Sequence, residues 1–220
     1  MKKIAFHTIS GVIRCVSGLR VGGSDELLEA GAADLTCIKH PVTLQPFIPG
    51  SSLKGRLRSE MEFKLGKYGL DRDHRPTEPC GCGQNDCLIC RIFGPHKNTR
   101  HQLGPSRLIS RDAQPSPNQV IAYENKTESA NNRQTGANHD PRKMERVAAG
   151  TEFDFRLTIQ EWDSDSICSY NGNTAGLALV EFIKVAMRAV ENTGIGSGVG
   201  RGSGEVQFKH LKLGGNDFTL

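Results

Sequence analysis

Long apolar runs are missing from this chain. Nothing in it approaches the roughly 18 consecutive apolar residues that a membrane-spanning helix needs, so no membrane segment is expected. The start, Met1-Lys2-Lys3-Ile4, is basic, but His7, Ser10 and Arg14 break up the apolar residues after it, and no signal peptide is expected. Aromatic residues are scarce, with nine Phe, three Tyr and one Trp against 25 glycines, a balance that implies many turns and close backbone approaches. A disulfide framework is also excluded. The seven cysteines are unevenly placed, four of them in one short stretch, which suits a reducing cytoplasm and a metal site better than a secreted fold.

What is present is enough for a packed core. Hydrophobic residues make up 36% and charged residues 24%, so disorder is not indicated. The net charge of +4 is a weak pointer to an anionic partner. The excess is local: Lys54 to Arg111 holds twelve Lys or Arg against six Asp or Glu.

Periodicity gives a coarse order of elements. Apolar and polar residues alternate over 3–16, which reads as one bent strand or a strand pair. Residues 25–48 read as a crossing loop. Leu53, Leu57, Met61 and Leu65 recur every four residues, giving a helix with a buried stripe, capped by Ser51 or Ser52 and ended by Gly66. Residues 67–104 read as an irregular insertion and 106–112 as a short strand. Residues 119–147 are a long polar excursion, of the kind that is functional or disordered. Phe153, Phe155, Leu157 and Ile159 mark a strand, and 174–192 a helix with Leu177, Val180, Ile183, Val185 and Met187 on its apolar face. A last strand begins at Val206. Strand, helix, strand, then strand, helix, strand is the order of an α+β, ferredoxin-like fold.

Three motifs carry candidate chemistry. Cys80, Cys82, Cys87 and Cys90 fall within eleven residues, as two short-spaced pairs that can wrap one tetrahedral structural Zn²⁺. His74 or His96 could replace one thiol, and four free cysteines in a loop is the plain alternative. The second is Ile48-Pro49-Gly50-Ser51-Ser52-Leu53-Lys54-Gly55-Arg56-Leu57-Arg58. It opens a helix whose free amides suit phosphate, with Lys54 and Arg58 one turn apart off the apolar stripe. Gly55 inside that helix suggests close packing, although solvated cations on an ordinary amphipathic helix would look the same. The third, Gly194 to Gly204, alternates six glycines with small residues, and Arg201 adds charge. No Gly-Lys-Ser/Thr follows, so it is not a P-loop, and it follows its helix where a Rossmann fingerprint precedes one. Exposed amides for phosphate oxygens are one reading, and a flexible linker is the other.

Together these segments resemble the RAMP superfamily of CRISPR proteins. Ile48-Pro-Gly-Ser-Ser-Leu-Lys-Gly55 is similar to that superfamily's signature, and Gly194–Gly204 to its C-terminal glycine-rich loop. Cys90-Arg-Ile-Phe-Gly94, Gly18–Ser24, Tyr123-Glu-Asn-Lys126 and Asn138–Arg146 resemble further family segments. Length and motif detail favour the backbone subunit of a type III-A interference complex over the longer type III-B one.

The resemblance implies a single domain over 1–220, with a modified RRM palm, a zinc-bearing insertion at 67–104 and a thumb hairpin at 119–147. It implies guide-RNA binding through Arg20, Ser51, Ser52, Lys54, Arg58, Asn125, Lys126, Arg133, Arg142, Gly198 and Arg201. Copies stack along the guide RNA into a filament with other subunits of the complex. It also implies regularly spaced cutting of a complementary target RNA, dependent on Mg²⁺ or another divalent metal, with Asp34 as the catalytic residue. A single carboxylate can hold a hydrated divalent cation or orient a 2′-hydroxyl for attack on the adjacent phosphate. The Leu35-Thr36-Cys37 context after Asp34 departs from the family pattern, which keeps a purely structural RNA-binding subunit as the alternative. A zinc-dependent guide-processing enzyme is a third possibility, with His210 as its one candidate base.

Overall fold

The computed structural model describes residues 1–22, 35–73, 75 and 77–220, with Asp140 described by its backbone alone. In chain order the elements are β1 (Lys3–Cys15), α1 (Gly50–Leu65), α2 (Leu88–Phe93), β2 (Leu108–Ser110), β3 (Gln114–Pro115), β4 (Tyr123–Asn131), β5 (Asn138–Val147), β6 (Glu152–Trp162), β7 (Ser169–Tyr170), β8 (Asn173–Thr174), α3 (Ala175–Thr193), β9 (Val206–Leu213) and β10 (Asn216–Asp217).

A six-stranded antiparallel sheet runs in the order β10-β9-β1-β6-β2, with β3 also paired to β6. β1 is one continuous strand. Its register shifts between Lys3 and Ala5 against β6 and between Ser10 and Val12 against β9, which bends it. Period-two alternation sends Ile9 and Ile13 of β1 and Phe153, Phe155, Leu157 and Ile159 of β6 to one face, where all are buried.

α1 and α3 cover that face. Leu53, Leu57 and Met61 form the α1 stripe, and Leu179, Phe182, Ile183, Met187 and Val190 the α3 stripe. Leu65, the last residue of α1, and Leu177, in the first turn of α3, are exposed instead of joining these stripes. Gly66 ends α1 in the left-handed region at φ 62°, as a glycine there should.

The start of α1 differs from the sequence expectation. Neither Ser51 nor Ser52 caps it; the Gly50 N–H donates to Asp112 Oδ1 at 2.7 Å. A carboxylate from the β2–β3 connection therefore already occupies the positive end of this helix. Gly55 has open space around it rather than a close neighbour.

Residues 67–104 are less irregular than expected. α2 inserts Ile89, Ile92 and Phe93 into the main core, and Phe93 meets Phe182 of α3 at 6.5 Å between ring centres. The polar excursion at 119–147 contains the β4–β5 hairpin, a separate two-stranded sheet.

Candidate nucleic-acid interface and thiol cluster

The four clustered cysteines meet in space. Cys80 Sγ lies 3.7 Å from Cys82, 3.9 Å from Cys87 and 3.6 Å from Cys90, and Cys82 lies 3.7 Å from Cys90. All four sulfurs lie within 4.8 Å of one another, so the cluster could hold a structural metal. Tetrahedral ligands at about 2.3 Å from one ion sit about 3.8 Å apart, which is the spacing found. The hydrogen bond from Cys90 draws the Cys87 thiol down to about 5, while that same bond pushes Cys90 up and burial raises Cys80.

Two α1 side chains staple this cluster to the fold. Arg58 donates to the Cys80 carbonyl at 2.7 Å, to the Gly94 carbonyl at 3.0 Å and to Glu62 at 2.8 Å. Glu62 in turn accepts from the Cys80 N–H at 2.8 Å. His96 stays outside the sulfur set, its ring engaged by Glu78 at 2.7 Å, and His74 lies outside the described residues.

Arg58 of the expected phosphate track along α1 is thus engaged with the thiol cluster. Lys54 is also turned inward, donating to the Leu108 carbonyl at 2.7 Å and to Ser106 Oγ at 3.3 Å, and burial lowers its pKa. Ser51 is exposed. Ser52 lines an open groove of about 420 Å³ with Gly22, Gly55, Gly196 and Ser197.

The second centre is where the hairpin meets the glycine loop. Leu19 pairs with Val147 through two backbone bonds of 2.9 and 2.8 Å. The Ser197 N–H donates to the Arg20 carbonyl at 2.9 Å, and Arg20 Nη1 donates back to Ser197 Oγ at 2.8 Å. Arg20 is nearly buried and its Nε has no partner among the described residues. Arg146 ties the hairpin to the glycine loop, pairing with Glu124 at 2.6 Å and donating to Ser203 Oγ at 2.9 Å. Lys126 Nζ donates to the Arg201 carbonyl, and Arg201 reaches Glu128 at 3.2 Å.

These contacts frame an open cleft of about 580 Å³ lined by Leu35, Lys126, Glu128, Arg142, Met144 and Arg201, with Ser129 and Ala130. Asp34 lies outside the described residues. Its chain neighbour Leu35 is fixed to β5 by bonds to the Lys143 carbonyl at 3.3 Å and from the Glu145 N–H at 2.9 Å. Cys37, Lys39 and Tyr123 continue inward from it. Glu145 accepts from the Cys37 N–H and from Lys39, each at 3.1 Å, and the Lys39 ammonium lies 4.5 Å from the Tyr123 ring centre.

Of the residues expected to touch RNA, the structure therefore gathers Arg20, Lys126, Arg142, Gly198 and Arg201. Asn125 is exposed on the hairpin and Arg133 in the turn at its tip, while Ser51, Lys54 and Arg58 stand apart. Arg146, Glu128 and Met144 were not singled out. Reading 138–147 as a strand would have found Arg146, since Arg142, Met144 and Arg146 alternate onto one face. His210 is an exposed residue at φ 51° in β9, with no counterpart group to act on among the described residues.

Gly196 is the hinge of the loop contact. Its φ is 83°, and a side chain there would run into the Arg20 carbonyl. Gly196→Ala is expected to lower stability by about 1–3 kcal/mol and to detach the loop from Arg20, weakening RNA binding as well. Thermal melts and RNA titration check both effects; an unchanged melt would remove the hinge role.

The sequence profile of the RAMP superfamily matches residues 12–207. The "CRISPR system Cms endoribonuclease Csm3" of Methanothermobacter thermautotrophicus is 32% identical over 94% of this chain and 85% of its own length. The protein of the same name from Methanocaldococcus jannaschii is 34% identical over 93% and 79%. The chain belongs to the RAMP superfamily and, within it, to the Csm3 family. Solved structures agree at the level of fold. A chain of the Csm3–Csm4 subcomplex of the type III-A CRISPR-Cas interference complex superposes with TM-score 0.57 at 24% identity, covering 97% of this chain and 79% of that one. A chain of the type III-B Cmr-beta complex bound to cognate target RNA gives 0.61 at 16% identity, over 94% and 60%.

Proposed function

We propose that this chain is a guide-RNA-binding backbone subunit of a type III-A CRISPR effector that also cuts complementary target RNA. The observation that carries this is the junction of hairpin, glycine loop and Leu35 at one cleft, in a chain whose family relatives are named endoribonucleases. The sheet order β9-β1-β6-β2, with both long helices on one face, supports a ferredoxin-like palm within a single domain spanning 1–220. The hairpin is then the thumb. Its exposed Asn125 and Arg133 suit a strip that reaches over RNA, while Arg20, Lys126, Arg142 and Arg201 at its root hold phosphates near the exposed amides of the glycine loop.

Arg20 is the best-prepared of these cations. A buried guanidinium with one unpartnered N–H is pre-ordered to receive a phosphate oxygen. The partners of the assembly are the guide, the target, further copies of this chain and other subunits of the complex.

Asp34 is proposed as the cutting residue. A divalent cation such as Mg²⁺, where bound, would stabilise charge developing on the scissile phosphate. The carboxylate would hold the ion's water shell or orient the attacking 2′-hydroxyl. The relatives' name as endoribonucleases weighs against the purely structural subunit. Guide RNA mixed with the chain and a labelled target in Mg²⁺ tests the proposal. Cutting is expected only when the target is complementary and is lost with chelator; indifference to the guide would overturn it.

The thiol cluster is proposed to hold Zn²⁺. Four thiolates close the shell, so the ion would be structural and would fix residues 80–94 against α1 through Arg58 and Glu62. Protein purified without chelator is expected to carry about one zinc per chain and to melt lower once stripped. A chain without metal and with unchanged melting would remove the ion from this account.

A further inference from the structure

The face of the sheet turned away from α1 and α3 is bare among the described residues. Along β6 the buried Phe153, Phe155, Leu157 and Ile159 alternate with residues that point to this other face. Arg156 is among them, and its register partner Ser10 of β1 stands opposite Lys212 of β9. Two residues along, Val12 stands beside Lys209, and two further on comes the exposed Arg14. Rows two residues apart along a strand are spaced by about 7 Å, so these cations form a ladder. None of the four makes an ion pair with a described residue. Three acids stand among these cations by register: Asp154 beside Val12, whose carboxylate already accepts from Ser116 at 2.5 Å, Glu152 opposite Arg14 and Asp217 opposite Lys212, the last two without an ion pair to the cation they face.

At the far end of β1 the chemistry changes. Phe6 is 60% exposed on the same face, level with Gln160 of β6. The Lys3 ammonium sits 4.8 Å from its ring centre and 5.2 Å from that of Trp162. A ring left largely exposed beside Lys3, leading into cations without ion pairs at strand spacing, fits single-stranded nucleic acid, which stacks bases on aromatics and lays phosphates along positive charge. An acidic protein partner would match the cations but would leave the ring unused.

We infer that this open sheet face is a second RNA-binding surface, separate from the hairpin–glycine-loop cleft, where Phe6 stacks a base and Arg14, Arg156, Lys209 and Lys212 hold the flanking phosphates of a single strand. It extends RNA handling to a face that the cleft does not use, so each surface can fail alone.

The test is titration of the full chain with a fluorescent single-stranded RNA of random sequence at several salt concentrations. Four variants run beside it: Phe6→Ala, Phe6→Tyr, the triple Arg14→Glu/Arg156→Glu/Lys212→Glu, and a cleft control, Arg142→Glu/Arg201→Glu. Phe6→Ala is expected to weaken binding roughly fivefold to tenfold, and Phe6→Tyr to restore it. The triple variant is expected to flatten the slope of log affinity against log salt by about 2, at about 0.7 per lost phosphate contact. Both losses should persist in the background of the cleft control, and ultraviolet crosslinks should map to the peptide holding Phe6. Wild-type affinity and slope in the sheet variants would overturn the proposal. So would a change in sedimentation with no change in RNA affinity, since the face would then be a protein contact.

Discussion

Asp34→Ala is expected to slow guided target cutting by about 100-fold or more, the scale on which a positioned acid–base group acts, while guide affinity stays within about twofold. The separation follows from where the chain is anchored. Leu35, next in sequence, is bonded to β5 on both sides and lines the cleft. The cations assigned to the guide sit on other elements, on β1's exit at Arg20, on the hairpin and on the glycine loop. Removing one carboxylate subtracts no contact from them. Single-turnover cutting and filter binding measured on the same preparations check both halves. Cutting retained within a few-fold would take Asp34 out of the chemistry and return the reading to a structural subunit.

Asp165→Ala is expected to be the most damaging substitution for stability. Asp165 is fully buried between two buried guanidiniums, accepting from Arg91 at 2.9 Å and from Arg107 at 2.7, 2.9 and 3.0 Å. It also caps the turn that follows β6, accepting from the Trp162 N–H at 2.9 Å. Without it two positive charges face each other out of water. The cost of orphaning a buried charge is about 3–5 kcal/mol, or roughly 6–20 °C in melting temperature for a chain of this size. Asp163→Ala, two residues earlier and on the surface, is expected to leave the melting temperature almost unchanged. Equal melting of the two variants would contradict the buried triad.

Local chemistry was legible in the sequence, and long-range chemistry was not. The cysteine cluster depends on eleven consecutive residues, so spacing alone located it. The alternation of Phe153 to Ile159 and the four-residue rhythm of Leu53, Leu57 and Met61 also report burial directly. By contrast, the true cap of α1 is Asp112, brought from 62 residues away, and no local rule chooses it over Ser51 or Ser52. Lys54 and Arg58 do lie off the apolar stripe, as a helical wheel requires. Their partners come from β2 and the thiol cluster, which a wheel cannot show. The same applies to the basic excess between Lys54 and Arg111. Lys54, Arg58, Arg91 and Arg107 are all committed to internal bonds, so only part of that excess reaches the surface. Asp165 reads locally as a solvated loop residue, and the hairpin has no apolar period because both of its faces are largely exposed.

The most direct test of the account is the pattern of cuts in a long labelled target, assembled with guide RNA and this chain in Mg²⁺. The account predicts fragments at one constant interval, because each copy along the guide cuts once, and no fragments when every copy carries Asp34→Ala. A target that is bound yet stays whole, or is cut at irregular positions that survive the substitution, would contradict it.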